Sequence, residues 1–533
     1  MRRFVAVITP LGWLFAGLAG VQLAVQLVFV TQGTDYAVAN LANDDTFYYL
    51  NTALNLHDYG FTTFDGIHPT NGVQFAWYWL LAGVAAFTSD KTAFLQAALM
   101  ICALLNAASY LFIARLARLI GQPFMGVMLG VAWFCYCMVA PGFTLQGMEN
   151  SLHGLVFWAL LAQMLWVLVR NRDVSARDLL LLAALLVLNT WSRVDAGLYS
   201  ALFAVGIGMA LWPHVSKRLL LVGPGMVIAA GAAIMLGGFY LMGGYPLPVS
   251  GLIKQENFNW DPEFLRQVIR LVAEFVVPFK HDALRMVIVL AVVGVVLDRY
   301  LGRKQPRRRS NWVRSLGPFK TLYLLLALGA FAHVNYLAGL GKHVTYSSWY
   351  MAPLAIMAVI TLALGAYALV QISQARHQRA ATVLIAAVYV VGLLGNILFS
   401  ERNLYNGGAD RGIDPPNHYT NRLSTARWID ANLEPDALLA AWNAGQLGYF
   451  SNRRVINLDG LVNSYDYYHN VKRGDEALLD YLETQQVAYI TDYTTAIPDE
   501  VRDRFTFVIK FPMMDVRYYE VWRSPRMTNI GGY

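Results

Sequence analysis

Charged residues are scarce in this 533-residue chain, and Asp, Glu, Lys and Arg together make up only 14% of it. Soluble domains carry roughly 25% charged residues, so the composition excludes an ordinary water-soluble enzyme. Cysteine is also rare: Cys102, Cys135 and Cys137 lie in apolar runs, which excludes a disulfide framework and a cysteine-based metal site. Hydrophobic residues make up 57% of the chain. Together these features predict a polytopic α-helical membrane protein.

Apolar runs of near 20 residues are long enough to cross a bilayer as helices. The predicted spans, about 11 in number, are residues 4–30, 93–114, 122–140, 151–169, 179–192, 196–212, 219–240, 286–298, 321–339, 350–371 and 380–400. The first run is too long for the apolar core of a signal peptide, so it is predicted to be retained. The stretch 75–88 is shorter, and we expect it to lie against the membrane surface.

Basic residues fall on alternate loops, and the richest loop, residues 299–320, contains the run RKQPRRRS. The positive-inside rule then places the N-terminus in the cytoplasm. We interpret the basic run as a topology signal near anionic membrane lipids, and we expect no nucleic-acid partner. This topology puts the first outer loop, residues 31–92, outside the cytoplasmic membrane.

The character of the sequence changes near residue 400. We expect a membrane domain at 1–400 and an extracytoplasmic α/β domain at 401–533. In the second part, residues 438–442 and 454–458 predict strands, and residues 420–432 and 475–484 predict amphipathic helices.

Polar and ionisable residues collect at the outer ends of the spans. They are Asp44, Asp45, Tyr48, His68 and Asn71 in the first outer loop, Glu149 in the next one, Arg193 and Asp195 after residues 179–192, Lys254 after the seventh span, and His343 and Tyr350 after the ninth. A transporter places such residues near the bilayer midplane. Convergence at one interface favours an enzyme that acts on a lipid-anchored substrate.

The residue types suggest a chemistry for this site. Arg193, Lys254 and His343 are candidate ligands of a donor phosphate, and a carboxylate can remove the proton from an acceptor hydroxyl. Asp45 and Glu149 are candidate ligands of a divalent cation (Mg²⁺, Mn²⁺ or Ca²⁺), since these ions prefer oxygen.

Each assignment has a structural alternative that the sequence leaves open. These are a helix N-cap for Asp44, an interfacial ion pair for Arg193 with Asp195, a snorkelling side chain for Lys254, a loop role for His68 and an aromatic-belt position for Tyr350.

The ordered motifs resemble those of a known superfamily. Residues 44–77, DDTFYYLNTALNLHDYGFTTFDGIHPTNGVQFAW, with WSRVDAG and GYPLPVSGLIK further along, are similar to motifs of the GT-C integral-membrane glycosyltransferases, and of the mycobacterial terminal arabinofuranosyltransferases in particular. The resemblance implies a GT-C-like fold with Asp44 as the catalytic base. It implies that Asp45 assists the base or binds metal or acceptor, and that Glu149 is a second acid.

The same resemblance implies a function. It suggests inverting transfer of a sugar, with arabinofuranose as the best guess, from a polyprenyl-phosphate donor to a glycan, lipid or protein acceptor on the outer face of the cytoplasmic membrane. The alternatives are a transporter or flippase of lipid-linked sugars and a non-catalytic scaffold.

Overall fold

The computed structural model of the protein describes residues 10–139, 144–213, 221–256, 258–266, 316–340, 350–372, 418–472, 474–512 and 518–525. The predicted spans 286–298 and 380–400, most of the basic loop 299–320, and His343 lie outside the described residues.

The described part of the N-terminal region is helical. We number its helices in chain order: α1 Pro10–Val30, α2 Thr34–Asn40, α3 Asp44–Tyr59, α4 Phe75–Ala85, α5 Lys91–Ile120, α6 Pro123–Val139, α7 Asn150–Arg170, α8 Ala176–Ser192, α9 Gly197–Leu211, α10 Val222–Gly243, α11 Val249–Gln255, α12 Phe319–Leu340 and α13 Ala352–Ile372.

Six stretches within the described ranges are long and apolar enough to cross a membrane. They coincide with α1, α5, α7, α10, α12 and, for the segment Val194–Leu211, with α9. The chain is therefore a multi-pass membrane protein, while the total of about 11 spans stays a prediction. Helix α4 has 11 residues, a length of about 16 Å that is too short to cross the bilayer. This length agrees with the expectation that residues 75–88 do not form a span.

The membrane helices pack around large apolar side chains. Trp133 of α6 meets Trp158 of α7 edge to face, with ring centroids 5.5 Å apart, and Phe157 packs against Tyr199 of α9 at 5.2 Å. These rings are fully or almost fully buried. Aromatic pairs in this geometry add to the free energy of burial, so this core holds together the helices whose ends carry the polar residues.

Helix α3 carries the acidic pair in its first turn. The Asn43 side chain accepts a hydrogen bond of 3.1 Å from the Thr46 amide, and Gly60 ends the helix with a left-handed backbone (φ 77°). The alternative that Asp44 is the N-cap is therefore wrong, because Asn43 has that role and Asp44 is the first helical residue. Both carboxylates lie in the first turn, where the helix dipole favours negative charge.

The C-terminal part of the chain forms an α/β unit. Its elements are α14 His418–Asn432, β1 Leu438–Ala441, α15 Gly445–Phe450, β2 Arg454–Asn457, α16 Tyr465–Asn470, α17 Asp475–Thr484, β3 Tyr489–Tyr493, α18 Asp499–Arg502, β4 Thr506–Pro512 and β5 Tyr518–Arg523. The sheet order is β2-β1-β3-β5-β4, with β1 parallel to β2 and β3, and β5 antiparallel to β3 and β4. The predicted strands and helices are confirmed.

This unit docks on α3. Phe47 packs against Tyr449 and Phe450 of α15, with ring centroids 5.3 and 5.1 Å apart. Gly445 lies so close that a Cβ atom there would sit 2.1 Å from the carbonyl oxygen of Asp44. The contact is therefore between backbones, and it holds the C-terminal unit beside the acidic pair.

Candidate active site

A cleft opens where one set of ends of the membrane helices meets the C-terminal unit. It is lined by charged and hydroxyl-bearing residues (Asp45, Tyr48, Tyr49, Glu149, Arg193, Ser250, Lys254 and Tyr350) together with Gly72, Val73, Gln74, Met148 and Leu461. The cleft thus brings together the predicted site residues Asp45, Tyr48, Glu149, Arg193, Lys254 and Tyr350, which are far apart in the sequence.

Asp45 is the member of the acidic pair that faces the cleft. Burial raises the pKa of Asp45 to about 6; Lys254 opposes this shift, whereas Asp44 and Glu149 add to it. A carboxyl group with a pKa near 6 is mostly ionised at neutral pH and is still basic enough to take a proton from a hydroxyl group. Tyr49, one helical turn further on, lines the same cleft.

Asp44 points to the C-terminal unit instead. Its carboxylate oxygens accept hydrogen bonds from the backbone amides of Gly445 (3.1 Å) and Gln446 (2.9 Å), and Arg422 lies 3.3 Å from Oδ1. Asp44 and Arg422 are both buried. The carboxylate is thus fully engaged in holding the C-terminal unit, and it is not among the residues that line the cleft. The geometry therefore favours Asp45 over Asp44 as the residue that reaches a substrate.

Arg193 lies at the end of α8 and bridges two carboxylates. It forms a bidentate pair with Asp195, at 2.9 and 3.1 Å, and its Nη1 binds Oε1 of Glu149. The side chain is only 2% exposed. A bidentate, buried Arg–carboxylate pair has a fixed geometry. Arg193 and Asp195 therefore form the ion pair that was the alternative interpretation. This pair also holds the Arg193 guanidinium in place at the wall of the cleft.

Tyr350 lies between the two cations of the cleft. Its ring centroid is 4.6 Å from the Arg193 guanidinium carbon and 5.6 Å from the Lys254 ammonium. This position, 5% exposed, excludes the aromatic-belt interpretation of Tyr350. Burial alone would lower the pKa of Lys254, but Tyr350 and Asp45 outweigh it and hold that pKa above its usual range. Lys254 therefore stays charged, and no described carboxylate lies within ion-pair distance of it.

Asn71 fixes the loop that carries Lys254. Its amide nitrogen lies within hydrogen-bond distance of the carbonyl oxygens of Phe239 (3.2 Å), Tyr245 (2.7 Å) and Leu247 (3.0 Å), and its Oδ1 accepts a bond from the Val249 amide (2.9 Å). Because Val249 begins α11, these bonds set the position of that helix and of Lys254 within it. Asn71 thus supports the site from behind the cleft wall.

His68 lies at the junction with the C-terminal unit rather than among the cleft residues. Its Nδ1 is 2.7 Å from Asp65, and its Nε2 is 3.4 Å from the Tyr481 hydroxyl. Asp65 also accepts hydrogen bonds from the backbone amides of Ile67 and His68. These contacts agree with the loop role that was the alternative for His68.

Asp45 and Glu149 both line the cleft, and their role as ligands of a divalent cation stays a prediction. One oxygen of Glu149 is bound by Arg193, and the other is buried without a hydrogen-bond partner. Among the residues that the structure describes, no group of three His, Cys, Asp or Glu side chains has the geometry of a metal site.

Asp459 is a residue near the cleft that the sequence motifs did not single out. The Tyr48 hydroxyl donates to its Oδ2 at 3.1 Å and also receives a hydrogen bond from Asn457. Burial raises the pKa of Asp459 to about 7, and the charge of Asp45 adds to the shift. The signal available in the sequence was the composition of NLDGLVNSYDYY, residues 457–468.

Comparison with known proteins supports the architecture. Residues 412–528 match the model of a domain of unknown function, and no curated protein matches the chain. The crystal structure of ArnT from Cupriavidus metallidurans bound to undecaprenyl phosphate is 13% identical and superposes with a TM-score of 0.53, covering 96% of this chain and 98% of that one. An oligosaccharyltransferase from Archaeoglobus fulgidus, in complex with Zn and sulfate, is 12% identical with a TM-score of 0.53, covering 94% and 72%.

The chain has the GT-C fold. This confirms the fold that the motifs implied. A third GT-C structure, the arabinofuranosyltransferase AftD from Mycobacteria, is 15% identical and covers 97% of this chain and 42% of that one. Its TM-score of 0.45 is too low to carry an argument about the sugar.

Proposed function

We propose that this GT-C protein is an inverting glycosyltransferase that moves a sugar from a polyprenyl-phosphate donor to an acceptor outside the cytoplasmic membrane. The observation that carries the proposal is the pairing, across one cleft, of the Asp45 carboxyl group with the cations Lys254 and Arg193. A base and a phosphate-binding group are the two parts that such a transfer needs.

In the proposed reaction, Asp45 takes the proton of an acceptor hydroxyl as the oxygen attacks the anomeric carbon of the donor sugar. The bond from that carbon to the phosphate oxygen breaks, and the polyprenyl phosphate leaves with the negative charge. Lys254 stabilises this charge, since it has no carboxylate within ion-pair distance among the described residues. A single displacement of this kind inverts the configuration at the anomeric carbon.

Arg193 has a more indirect part in this proposal. Its charge is already matched by Asp195 and Glu149, so we assign to it the positioning of Tyr350 and Glu149 rather than direct neutralisation of the phosphate. His343 keeps its predicted role as a phosphate ligand. Asp44 is proposed to hold the C-terminal unit, in place of the role of base that the resemblance implied.

The remaining parts of the proposal concern substrate and topology. ArnT binds undecaprenyl phosphate, which supports a lipid-phosphate donor for this chain, and arabinofuranose stays the sugar suggested by the motifs. A glycan, lipid or protein is the acceptor class. We propose a division of the chain at about residue 400, with the N-terminus in the cytoplasm and both the cleft and the 401–533 domain outside.

The test is a donor screen with purified protein in nanodiscs. Synthetic polyprenyl-phosphate sugars, including the arabinofuranose donor, are incubated with the protein and membrane-derived acceptors, and products are identified by mass spectrometry. We expect one donor to release polyprenyl phosphate, and we expect Asp45→Asn to reduce this release by about 100-fold or more, the usual contribution of a general base. Asp58→Asn, an exposed carboxylate change on the same helix, is the matched control.

The screen also separates the competing hypotheses. A flippase would move lipid-linked sugars across proteoliposome membranes without forming a new glycosidic bond, and its transport would not require Asp45 as a base. Transfer at an undiminished rate by the Asp45→Asn enzyme would refute the assignment of the base.

A further inference from the structure

Glu149 directly precedes helix α7, but its side chain does not serve that helix. It occupies the N-cap position of α7, and its carboxylate makes no capping hydrogen bond with the amides of the first turn. Polar side chains at this position commonly accept such a bond. The Glu149 side chain lines the cleft instead, so the local structure of α7 does not account for a carboxylate at this place.

One oxygen of Glu149 is held in place by the protein. Oε1 binds Nη1 of Arg193, and the bidentate pair with Asp195 fixes the guanidinium in turn. His333 of α12 stands behind this pair, with its Nε2 3.6 Å from Oδ2 of Asp195. The orientation of the Glu149 carboxylate is therefore set by its surroundings, as the geometry of a binding group has to be.

The other oxygen of Glu149, Oε2, is buried and has no hydrogen-bond partner among the described residues. The side chain is 1% exposed, so bulk water does not satisfy this atom. A buried acceptor without a donor costs free energy, and native structures keep such an atom where it has a function or binds a further molecule. Because Glu149 lines the cleft, a ligand in the cleft can supply the missing donor.

Tyr49 lies beside Glu149 in the same cleft. Tyr49 and Asp45 are one turn apart on α3, so their side chains share a face of the helix, and both line the cleft. Burial raises the pKa of Tyr49, and the negative charge of Glu149 adds to the shift. The Tyr49 hydroxyl group therefore keeps its proton. Together, the phenol and Oε2 offer a donor and an acceptor, which are the two groups that one ligand hydroxyl can bind at once.

The neighbours of Glu149 indicate which ligand supplies this hydroxyl group. The Tyr350 ring lies 4.6 Å from the guanidinium carbon of Arg193, the residue that holds Glu149, and 5.6 Å from the Lys254 ammonium. Glu149 is thus linked through Arg193 to the part of the cleft proposed to hold a phosphate. A carboxylate repels the phosphate itself, whereas the sugar attached to that phosphate carries hydroxyl groups.

We infer that Oε2 of Glu149 accepts a hydrogen bond from one hydroxyl group of a lipid-phosphate-linked sugar, and that the Tyr49 hydroxyl completes this subsite. Calling the ligand the donor sugar rests on the proposed function, whereas its binding here does not. A site built to bind a hydroxyl group rejects an analogue that lacks it, because the buried oxygen is then left unpaired. The subsite therefore selects a sugar by the position of its hydroxyl groups.

The test measures binding rather than transfer. Full-length protein in nanodiscs is titrated with undecaprenyl phosphate and with the polyprenyl-phosphate sugars of the donor screen, in competition with a fluorescent undecaprenyl phosphate. The sugar that binds most tightly is then compared with each of its monodeoxy analogues. We expect this sugar to bind more tightly than undecaprenyl phosphate, and we expect one monodeoxy analogue to bind about tenfold more weakly than its parent.

Two variants assign the effect to the subsite. Glu149→Gln replaces the carboxylate by a neutral amide and should reduce the tenfold preference to about threefold or less, since charge-assisted hydrogen bonds are the stronger ones. Tyr49→Phe leaves the pair of Glu149 with Arg193 intact, should fold as the wild type does, and should also reduce the preference. Binding of undecaprenyl phosphate, which has no sugar, should be the same in the wild type and in both variants.

The matched controls are exposed residues of the same types. Tyr59→Phe changes a tyrosine on α3 that is 45% exposed, and Glu263→Gln changes a surface glutamate that pairs with Arg266. Both should keep the preference of the wild type. Equal binding of the parent sugar and all its monodeoxy analogues would overturn the inference, as would a preference that both Glu149→Gln and Tyr49→Phe retain. A preference that EDTA removes and a divalent cation restores would also overturn it, because Oε2 would then bind a metal ion.

The inference and the proposed function fail in different ways. If no donor is consumed in the screen but the monodeoxy analogue is rejected in a Glu149-dependent manner, the transferase proposal fails and the subsite stands. If sugar transfer occurs and Glu149→Gln discriminates between the analogues as the wild type does, the subsite fails and the transferase proposal stands.

Discussion

Replacing each carboxylate of the acidic pair by its amide should change the stability of the protein in opposite directions. The Asp44 carboxylate accepts two backbone hydrogen bonds and faces the buried Arg422. An asparagine at this position can keep one of the two amide bonds, but it removes the negative charge that faces Arg422 and turns an NH₂ group toward other donors. Breaking a buried charged pair costs about 3–5 kcal/mol, so Asp44→Asn should destabilise the docked C-terminal unit by about that amount.

Asp45→Asn should have the opposite effect. Because burial raises the pKa of Asp45 from 3.8 to about 6, the folded state disfavours the ionised carboxylate, and folding stability is lost as the pH rises from about 4 to about 6. Above that range the loss is complete and amounts to roughly 3 kcal/mol, at 1.36 kcal/mol per pKa unit. The Asp45→Asn variant should therefore be more stable than the wild type at pH 8 and nearly equal to it at pH 4.

Thermal unfolding followed by tryptophan fluorescence, at pH values from 4 to 8 in one detergent, measures both effects. The unfolding temperature of Asp44→Asn should fall by several degrees, and that of Asp45→Asn should rise with pH relative to the wild type. Asp58→Asn on the exposed end of α3 should change neither. A variant Asp44→Asn that unfolds like the wild type yet transfers no sugar would refute the reasoning, because Asp44 would then be the catalytic base.

Three shorter predictions follow from the same geometry. The rate of sugar transfer should fall about tenfold per pH unit below pH 6, because Asp45 must be ionised to act as a base; a flat profile of kcat/KM from pH 5 to 8 would contradict this. In Gly72→Ala the new Cβ atom would collide with the carbonyl oxygen of Leu461, so this variant should displace the C-terminal unit and reduce sugar transfer. In Gly83→Ala the new Cβ atom meets no neighbouring atom, so this variant should retain sugar transfer in the same assay. Arg193→Lys should lose the bidentate pair and leave Glu149 poorly matched, lowering stability by about 3 kcal/mol in thermal unfolding; an unchanged unfolding temperature would refute this role.

The gathering of the cleft residues agrees with the sequence-based expectation that their loops lie on one side of the membrane. Alternate loops of a multi-pass protein lie on the same side of the membrane, and charge counting assigns each loop to a side. Glu149, Arg193, Lys254 and Tyr350 follow four different apolar runs and still meet in one cleft. The short strands β1 and β2 of the C-terminal unit were predictable from local sequence, because each is an apolar run bounded by turn residues.

The division of roles between Asp44 and Asp45 was not predictable, because it depends on a contact across about 400 positions of the chain. Asp44 is bound by the backbone amides of Gly445 and Gln446, and the local sequence of α3 contains no pattern that predicts these two partners. Asp459 escaped prediction for the same reason. Its partner Tyr48 belongs to the first outer loop, so a single carboxylate in the tail gave no local pattern.

Asn71 and His68 illustrate a different limit. Both were predicted from residue type and position in the first outer loop, and both make dense hydrogen bonds. Asn71 forms its hydrogen bonds with the loop that precedes α11 and with the first residue of that helix. Those of His68 are with Asp65 and Tyr481. Residue type alone could not separate a side chain that contacts a substrate from one that fixes the contacting side chain in place.

The geometry of a helix explains why an adjacent acidic pair serves two purposes here. Consecutive residues of an α-helix point about 100° apart, so the two neighbouring carboxylates can reach different partners. In α3, positions 44, 47 and 48 contact the C-terminal unit, and positions 45, 48 and 49 line the cleft. The bonds of Asp44, together with the contacts of Phe47 and Tyr48, therefore help to set the rotation of α3 about its axis. Because the same rotation determines where the Asp45 side chain points, docking of the C-terminal unit should also position the proposed base in the cleft.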